Sequence, residues 1–270
     1  MKISLTFSAL LVVSLAFTQN YTPISVTGYN FDVIAETTPA STTTNTAMDG
    51  SDYVLYSQNY GTLFSTGTGL PNNGLITSGS STYQLAPFTS DNSIFLSTGQ
   101  TDSLELTTPA SYSSLSFLGF STEGLGMVLF VIKFTDGSAM VVPNSNLPDW
   151  FNGSGAVLNG FDRTGRTGDT PDFNAFQPYM YRINVNLSCA DQMKLVERVL
   201  IINTTSSASI KTAIFAVSGA STVSAASILA FQNLNCNGDT DGYIQLTPAC
   251  EPDYLFMGHS TCYDHTKPEQ

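Results

Sequence analysis

The amino-acid sequence predicts an all-β protein, built as an antiparallel β-sandwich or jelly roll. Residues 93–97 and 103–107 alternate apolar with polar side chains, a pattern typical of strands with one buried face. Turn residues separate such runs, most clearly the Pro-Asn-Asn-Gly stretch at 71–74, because Asn and Gly tolerate positive φ. Helical periodicity is scarce. Many short strands at this spacing therefore favour a sandwich or jelly roll.

The strongest single element in the sequence is a hairpin predicted over residues 126–142. Residues 126–134 are apolar on both faces, which predicts a central strand covered on both sides. Asp136-Gly137 then forms a two-residue turn into a second apolar run at 139–142. We therefore expect two central strands here, with Phe130 in the core.

Composition and charge limit the classes of function. The chain has 270 residues, enough for one large β domain or two small ones. Its hydrophobic content of 42%, with 17 Phe and 12 Tyr, suffices for a core, unlike that of a disordered chain. Nine basic residues against 21 acidic ones give a net charge of −12. Because such a chain repels phosphate, we expect no nucleic-acid partner.

The N-terminus has the pattern of a secretory signal peptide. A basic start at Met1-Lys2 precedes an apolar run at 3–17, and small residues at 16–18 suit cleavage before Gln19. The run is shorter than the ~20 residues that a membrane-spanning helix needs. No later stretch qualifies as a span. The sequence therefore predicts an exported protein, secreted or attached to the cell surface, with no transmembrane span after cleavage.

Changes in composition divide the chain into four predicted segments. Residues 1–18 form the signal peptide and residues 19–219 the β-sandwich domain. Residues 220–233 are a linker that begins small and apolar. Residues 234–270 are an acidic tail without sustained alternation after Leu246, which predicts a poorly structured end.

Three of the four cysteines lie in this tail. They are Cys236, Cys250 and Cys262, whereas Cys189 lies alone in the main domain. Export would allow disulfides, and three complete pairings are open. The alternative for Cys189 is a buried thiol. The chain has no CxxC pair to support a zinc or redox motif.

Several motifs follow one another through the main domain. They are Phe-Thr-Asp-Gly-Ser at 134–138, Pro-Asp-Trp-Phe at 148–151, a period-two run at 181–187 and Ala-Ile-Phe-Ala-Val at 213–217. In this order they resemble the galactose-binding-like jelly-roll domains of secreted bacterial proteins, over roughly residues 24–218. The resemblance implies a carbohydrate-binding or accessory module.

A second resemblance lies at the start of the tail. Residues 234–246 read Leu-Asn-Cys-Asn-Gly-Asp-Thr-Asp-Gly-Tyr-Ile-Gln-Leu. This resembles the opening of an SprB-type repeat, an Ig-like unit of surface adhesins in gliding bacteria. The sequence departs from that pattern after Leu246, where Pro-Ala-Cys-Glu-Pro at 248–252 replaces the Gly-rich turn and the Pro-Tyr pair. The resemblance therefore implies a truncated repeat, too short to form a sandwich core of its own.

The distribution of histidine limits the chemistry of the main domain. Both histidines, His259 and His265, lie in the tail, so the main domain has no Ser-His-Asp or Cys-His site and no His-ligated zinc. A pair of carboxylates would still suffice for glycoside hydrolysis, although Asp is also a common turn former. The candidates are Asp149, Asp162, Asp169 and Asp172. We predict a non-enzymatic module, with a carboxylate-dependent glycoside hydrolase or a spacer without ligand as the alternatives.

The region 144–178 is rich in Asn, Gly, Asp and Pro, which predicts a long loop of the kind that is often functional. A loop Trp beside Asn and Asp suits the stacking of a sugar ring. We therefore predict adhesion or carbohydrate binding here, with a glycan or cell-surface ligand as partner. The predicted ligand-binding residues are Asp149, Trp150, Phe151, Asn152, Arg163, Arg166 and Tyr179. The alternative for Trp150 is a place in the core, since large rings are mostly buried.

Calcium is the one cofactor that the loops suggest, because they supply carboxylate and carbonyl oxygens. Asp49 and Asp52, within Asp-Gly-Ser-Asp, are the predicted ligands of a structural calcium ion, and a β-turn is the alternative. The stretch 239–242 resembles the start of a calcium loop. Its twelfth position is Cys250, however, and an EF-hand needs Glu there.

Overall fold

The computed structural model describes residues 19–172 and 178–221, and the backbone of three strands beyond residue 225. The strands are β1 (Tyr21–Pro23), β2 (Val26–Thr27), β3 (Ile34–Ala35), β4 (Tyr53–Tyr56), β5 (Leu75–Ser78), β6 (Ser81–Gln84), β7 (Ile94–Leu96), β8 (Thr101–Ala110), β9 (Ser114–Thr122), β10 (Gly126–Phe134), β11 (Ala139–Leu147), β12 (Arg163–Gly165), β13 (Thr170–Pro171), β14 (Tyr181–Asn186), β15 (Val196–Asn203), β16 (Lys211–Ala220), β17 (Ala226–Gln232), β18 (Tyr243–Pro248) and β19 (Tyr254–Met257). The helices are α1 (Ala40–Thr43) and α2 (Gln58–Leu63).

Two sheets form a sandwich, and most of their strand pairs are antiparallel. The seven-stranded sheet has the order β14-β9-β16-β1-β6-β5, and β7 also pairs with β16. The five-stranded sheet has the order β11-β10-β15-β8-β2. The predicted all-β, antiparallel fold class is therefore confirmed.

The main core lies between these two sheets. Val128, Phe130 and Ile132 of β10 point into it and are fully buried. The ring of Phe130 stacks on that of Phe117 of β9, with 4.2 Å between the ring centroids. The alternation of buried and half-buried residues along β10 is that of a strand with one face in a core.

The strands covered on both faces are β9 and β16. All nine residues of β9 are buried, as are nine of the ten in β16. Phe117 faces the main core, whereas Phe120 faces a second apolar cluster on the other side of the seven-stranded sheet. This second cluster also contains Trp150 and Phe161 from the loop region. The loop region therefore forms a layer of the fold.

The structure corrects three details of the predicted hairpin. The strand β10 is central, but β11 is at an edge of its sheet. The outward side chains of β10, such as Leu129 and Val131, are half-buried, because no layer covers that face completely. The connection is longer than two residues: it spans 135–138 and closes with a 2.9 Å hydrogen bond from the Gly137 N–H to the Phe134 carbonyl.

The region predicted as one long loop contains regular structure. It includes the end of β11 and the strands β12 and β13. The last two join β4 and β3 in a four-stranded sheet of order β13-β12-β4-β3. This small sheet holds the loop region against the seven-stranded sheet.

The C-terminal part of the chain is described only as backbone strands. The predicted linker, 220–233, includes β17, which pairs with β18, and β18 pairs with β19. The predicted signal peptide lies outside the described residues. None of the helices in the described part of the chain has the length and apolar character needed to cross a membrane.

Cys189 is exposed and disulfide-bonded, which corrects the alternative of a buried thiol. It follows the end of β14, in the turn that leads to β15. The chain's other three cysteines all follow residue 235 and lie outside the described residues.

Loss of the Cys189 disulfide is expected to destabilise the protein. Cys189→Ser should lower the free energy of unfolding by about 2–4 kcal/mol, because the crosslink restricts the unfolded chain. Urea denaturation under oxidising conditions measures the loss. The matched control is the same pair of proteins under reducing conditions, where the two should agree. Equal stability of both proteins under oxidising conditions would contradict the prediction.

Candidate functional site

Arg163 lies at the centre of the loop region, against three aromatic rings. Its guanidinium carbon is 3.7 Å from the ring centroid of Tyr53, 4.3 Å from that of Phe151 and 5.0 Å from that of Trp150. The antiparallel register of β12 and β4 places Arg163 opposite Leu55, so Tyr53 is its diagonal neighbour on the same face. Rings at these distances attract the guanidinium charge.

Two carboxylates pair with the same guanidinium. Arg163 Nη1 donates to Asp49 Oδ2 at 3.0 Å, and Nε and Nη2 both donate to Asp172 Oδ2 at 2.9 Å. The Arg163 side chain is only 13% exposed and that of Asp49 only 5%, whereas that of Asp172 is 25% exposed. These pairs leave no uncompensated positive charge at the centre of the site.

Burial raises the pKa of Asp49. Hydrogen bonds from the backbone N–H groups of Tyr53 and Ser51, and the charge of Arg163, act in the opposite direction, while Glu123 adds to the increase. Asp49 is thus held as an acceptor by its own turn and by Arg163 together.

Trp150 is a core residue. It is 2% exposed, and its ring lies 5.2 Å from that of Phe120, centroid to centroid. Its backbone N–H donates to the Ser121 carbonyl at 2.9 Å, which fixes the start of the loop on β9. The structure therefore favours the core alternative for Trp150, because a buried ring is not accessible for stacking on a sugar.

Asp149 organises the turn that leads into Trp150. Its Oδ1 accepts a hydrogen bond from the Phe151 N–H at 2.8 Å and its Oδ2 one from the Gly124 N–H at 2.7 Å. Its carbonyl accepts from the Tyr181 hydroxyl at 3.0 Å. With both carboxylate oxygens accepting backbone hydrogen bonds, Asp149 acts here as a turn former.

The accessible part of the site is a rim of five residues: Tyr53, Phe151 and Asp172 contact the Arg163 side chain, and Asn152 and Tyr179 are hydrogen-bonded to the backbone of residues 149–150 beside it. Asn152 is exposed and the other four are half-buried. The Tyr179 N–H donates to the Trp150 carbonyl at 2.8 Å, which brings this residue back to the loop. We refer to these five residues as the Arg163 rim.

Arg166, the second predicted arginine, points away from the rim. Its Nε donates to Thr44 Oγ1 at 3.0 Å, and its Nη2 donates to the carbonyls of Thr44 and Ser41. Its backbone N–H donates to the Asp52 carbonyl at 2.7 Å. Arg166 therefore fixes the segment around α1.

The remaining candidate carboxylates, Asp162 and Asp169, bind to groups outside the rim. Asp169 Oδ1 accepts from the Ala40 N–H at 2.7 Å and from the Tyr60 hydroxyl at 2.9 Å. Asp162 is 4% exposed, and burial raises its pKa, with a smaller contribution from the charge of Asp172. Asp162 Oδ1 accepts a hydrogen bond from the Arg163 backbone N–H at 2.8 Å, so this carboxylate helps to fix the start of β12.

The calcium site at Asp49 and Asp52 stays a prediction. Asp52 Oδ2 accepts from the Thr167 N–H at 2.8 Å, and hydrogen bonds from Thr167 hold the pKa of Asp52 below its ordinary value. The oxygens of both carboxylates therefore accept bonds from protein donors. No group of three His, Cys, Asp or Glu side chains within the described residues is arranged to hold a metal ion.

Tyr53 is the site residue that sequence reasoning missed, because nothing in a local pattern predicts that β4 pairs with a strand more than 100 residues later. The only signal in the sequence is that Tyr53 begins an apolar run directly after the Asp-Gly-Ser-Asp turn at 49–52.

Known proteins show little similarity to this chain. No family model matches the chain, and no curated protein sequence matches it either. Among solved structures, one match is titled "Crystal structure of Agl-KA catalytic domain". It has a TM-score of 0.31 and 11% sequence identity, and it covers 84% of this chain and 32% of that chain. The present chain thus spans about a third of the matched one.

This comparison contradicts the prediction that the chain is non-enzymatic, because the matched structure is a catalytic domain. We therefore do not carry that prediction further. A TM-score of 0.31 carries no argument for a particular reaction.

A separate acidic residue, Asp32, lies between β2 and β3. Burial raises the pKa of Asp32 to about 7; hydrogen bonds from Asn92 and the Ile34 N–H lower it, and the charges of Glu36 and Asp91 raise it. Asn92 Nδ2 donates to Asp32 Oδ1 at 2.6 Å. Burial also raises the pKa of Glu36.

Trp150→Ala is expected to lower the free energy of unfolding by about 3–5 kcal/mol, because it leaves a cavity in the second apolar cluster. Thermal or urea unfolding measures the loss. Asn152→Ala, an exposed neighbour, is the control and should change stability by less than about 0.5 kcal/mol. A Trp150→Ala protein as stable as the parent would show that the ring is not part of the core.

Asp32→Asn is expected to flatten the dependence of stability on pH. Because the folded pKa of Asp32, about 7, exceeds the ordinary value near 4, the folded protein binds this proton more tightly than the unfolded chain. The contribution is therefore fully present at low pH and is lost as the pH rises through about 7. Urea unfolding between these pH values measures the slope. A slope unchanged in Asp32→Asn would contradict the assignment.

Proposed function

We propose that this chain is an exported module that binds carbohydrate, or adheres to a cell surface, through the Arg163 rim. The observation that carries the proposal is the convergence of six of the seven residues chosen from the sequence as ligand-binding. These are Asp149, Trp150, Phe151, Asn152, Arg163 and Tyr179. Asp149, Trp150 and Arg163 also stabilise the fold, whereas Asn152 is exposed and Phe151 and Tyr179 are half-buried, so these three are accessible to a ligand.

The charge of the site favours an uncharged glycan. Arg163 is already paired with Asp49 and Asp172, so it offers no free positive charge to a sulfate or uronate. The net charge of the chain, −12, also repels anionic polysaccharides. Three of the five N–H groups of Arg163 serve the carboxylates, so the guanidinium is largely committed within the protein.

Export and surface location form part of the proposal. They are supported by the signal-peptide pattern at 1–18 and by the resemblance of 234–246 to an SprB-type adhesin repeat. The resemblance of 24–218 to galactose-binding-like domains supports a carbohydrate ligand.

A second candidate function is carboxylate-dependent glycoside hydrolysis. The observation that favours it is the difference in environment between two acidic residues of this region: Asp162 is buried, which raises its pKa, whereas Asp172 is more exposed and pairs with Arg163. Two carboxyl groups in unlike environments are the arrangement that acid–base catalysis on a glycosidic bond needs.

Binding is tested by retention of the full chain on a panel of neutral and anionic polysaccharides. Asn152→Ala should weaken retention on neutral polysaccharides by about tenfold, the effect of losing about 1.4 kcal/mol of hydrogen bonding. Asn186→Ala is the matched control, because Asn186 is an exposed Asn that pairs with Ser114, at the far end of β9 from the rim. No retention of the parent, or equal loss in both variants, would contradict the proposal.

Hydrolysis is tested by release of reducing sugar from the same panel. Asp162→Asn should abolish it while preserving the fold, since Asn tolerates the positive φ of 62° at this position. The control is retention of the same polysaccharides by the variant. Release that persists in Asp162→Asn would exclude Asp162 as the catalytic acid.

A further inference from the structure

The described residues contain three Asn-Gly pairs, at 73–74, 152–153 and 159–160. An Asn followed by Gly is open to attack on its side-chain amide by the next backbone nitrogen, because Gly has no side chain to obstruct the approach and its backbone is permissive. In a folded protein the Gly N–H must first leave any hydrogen bond that it makes. The three pairs therefore differ according to what holds each Gly N–H.

Two of the pairs are protected. The Gly74 N–H donates to the Pro71 carbonyl at 2.8 Å, and Asn73 Oδ1 accepts from the Leu75 N–H at 3.0 Å. The Gly153 N–H donates to the Tyr181 hydroxyl at 2.8 Å. Each of these nitrogens is engaged, and its hydrogen bond must break before it can react.

The third pair is open. Asn159 and Gly160 are both exposed, and nothing within the described residues accepts a hydrogen bond from the Gly160 N–H or binds the Asn159 side chain. The residues on either side are held: Leu158 bridges to Met180, and Phe161 is 2% exposed. Asn159 and Gly160 therefore lie between two anchored residues, but the Gly160 N–H and the Asn159 side chain make no hydrogen bond to the described part of the protein.

We propose that Asn159 is a site of spontaneous deamidation. The Gly160 backbone nitrogen attacks Asn159 Cγ and forms a C–N bond. The Cγ–Nδ2 bond breaks, and Nδ2 leaves as ammonia with the proton from the Gly160 nitrogen. Water then opens the succinimide at one of its two carbonyls, giving aspartate or isoaspartate. Water is the only co-reactant.

The product changes the loop that carries the Arg163 rim. It adds a carboxylate three residues before Asp162, in a chain that is already acidic. The isoaspartate form also lengthens the backbone by one carbon between Leu158 and Phe161, which are both anchored.

The test is incubation of the native full chain in mildly alkaline buffer, followed by peptide mass spectrometry that separates aspartate from isoaspartate. Asn159 should convert at least about fivefold faster than Asn73 or Asn152, the factor that one intact hydrogen bond imposes. In urea the three rates should converge, because the protecting bonds are lost. Equal rates in the native protein, or the same ranking in urea, would overturn the proposal.

Two variants sharpen the result. Tyr181→Phe removes the acceptor of the Gly153 N–H, so Asn152 should convert about fivefold faster while Asn73 stays unchanged. Asn159→Gln should abolish conversion at 159, because the longer side chain disfavours ring closure. An unchanged rate at Asn152 in a folded Tyr181→Phe protein would overturn the argument that hydrogen bonds set the selectivity.

Discussion

Burial of β9 and β16 on both faces is the constraint on which the other parts of the fold depend. A strand without solvent contact must satisfy its backbone groups through its neighbours, and here β14, β16, β1 and β7 extend the ladder on either side. Such a strand also needs an apolar layer on each face. The five-stranded sheet supplies one layer. The loop region, anchored by Trp150 on Phe120, supplies part of the other.

Placing Arg163 in that second layer creates a further requirement. A charge at 13% exposure is costly unless it is paired, and here two carboxylates and a stack of aromatic rings surround it. The backbone adapts to this arrangement: Asp52, Asp162 and Asp169 all have positive φ, a conformation that costs energy in residues other than Gly and recurs at functional sites. The site therefore has two parts: Arg163 at its centre is held in place by its partners, and the Arg163 rim is accessible to solvent.

The sequence was sufficient for the class of fold and for the strongest local elements. Alternation and turn residues predicted strands at 103–107, 126–134 and 181–187, where β8, β10 and β14 lie. It failed where the outcome depends on distant partners. The apolar run of β10 suggested cover on both faces, but the doubly buried strands are β9 and β16, and the serines of β9 gave no such indication. Most of the site residues could be predicted because they lie in a region whose Asn, Gly, Asp and Pro content is typical of a functional loop. Tyr53 could not, because it joins the site only through the pairing of β4 with β12.

The edge position of β11 has a consequence for how copies of this molecule meet. Between Val128 and Phe130 the register of β10 and β11 shifts, so that Pro143 and Asn144 lie opposite Leu129 alone, a bulge in the outer strand. Proline has no N–H to offer, and a bulge twists the strand away from a straight course. A nine-residue edge could otherwise serve as a template for the β-strand of another copy. This interruption protects a chain rich in β-forming residues from edge-to-edge aggregation.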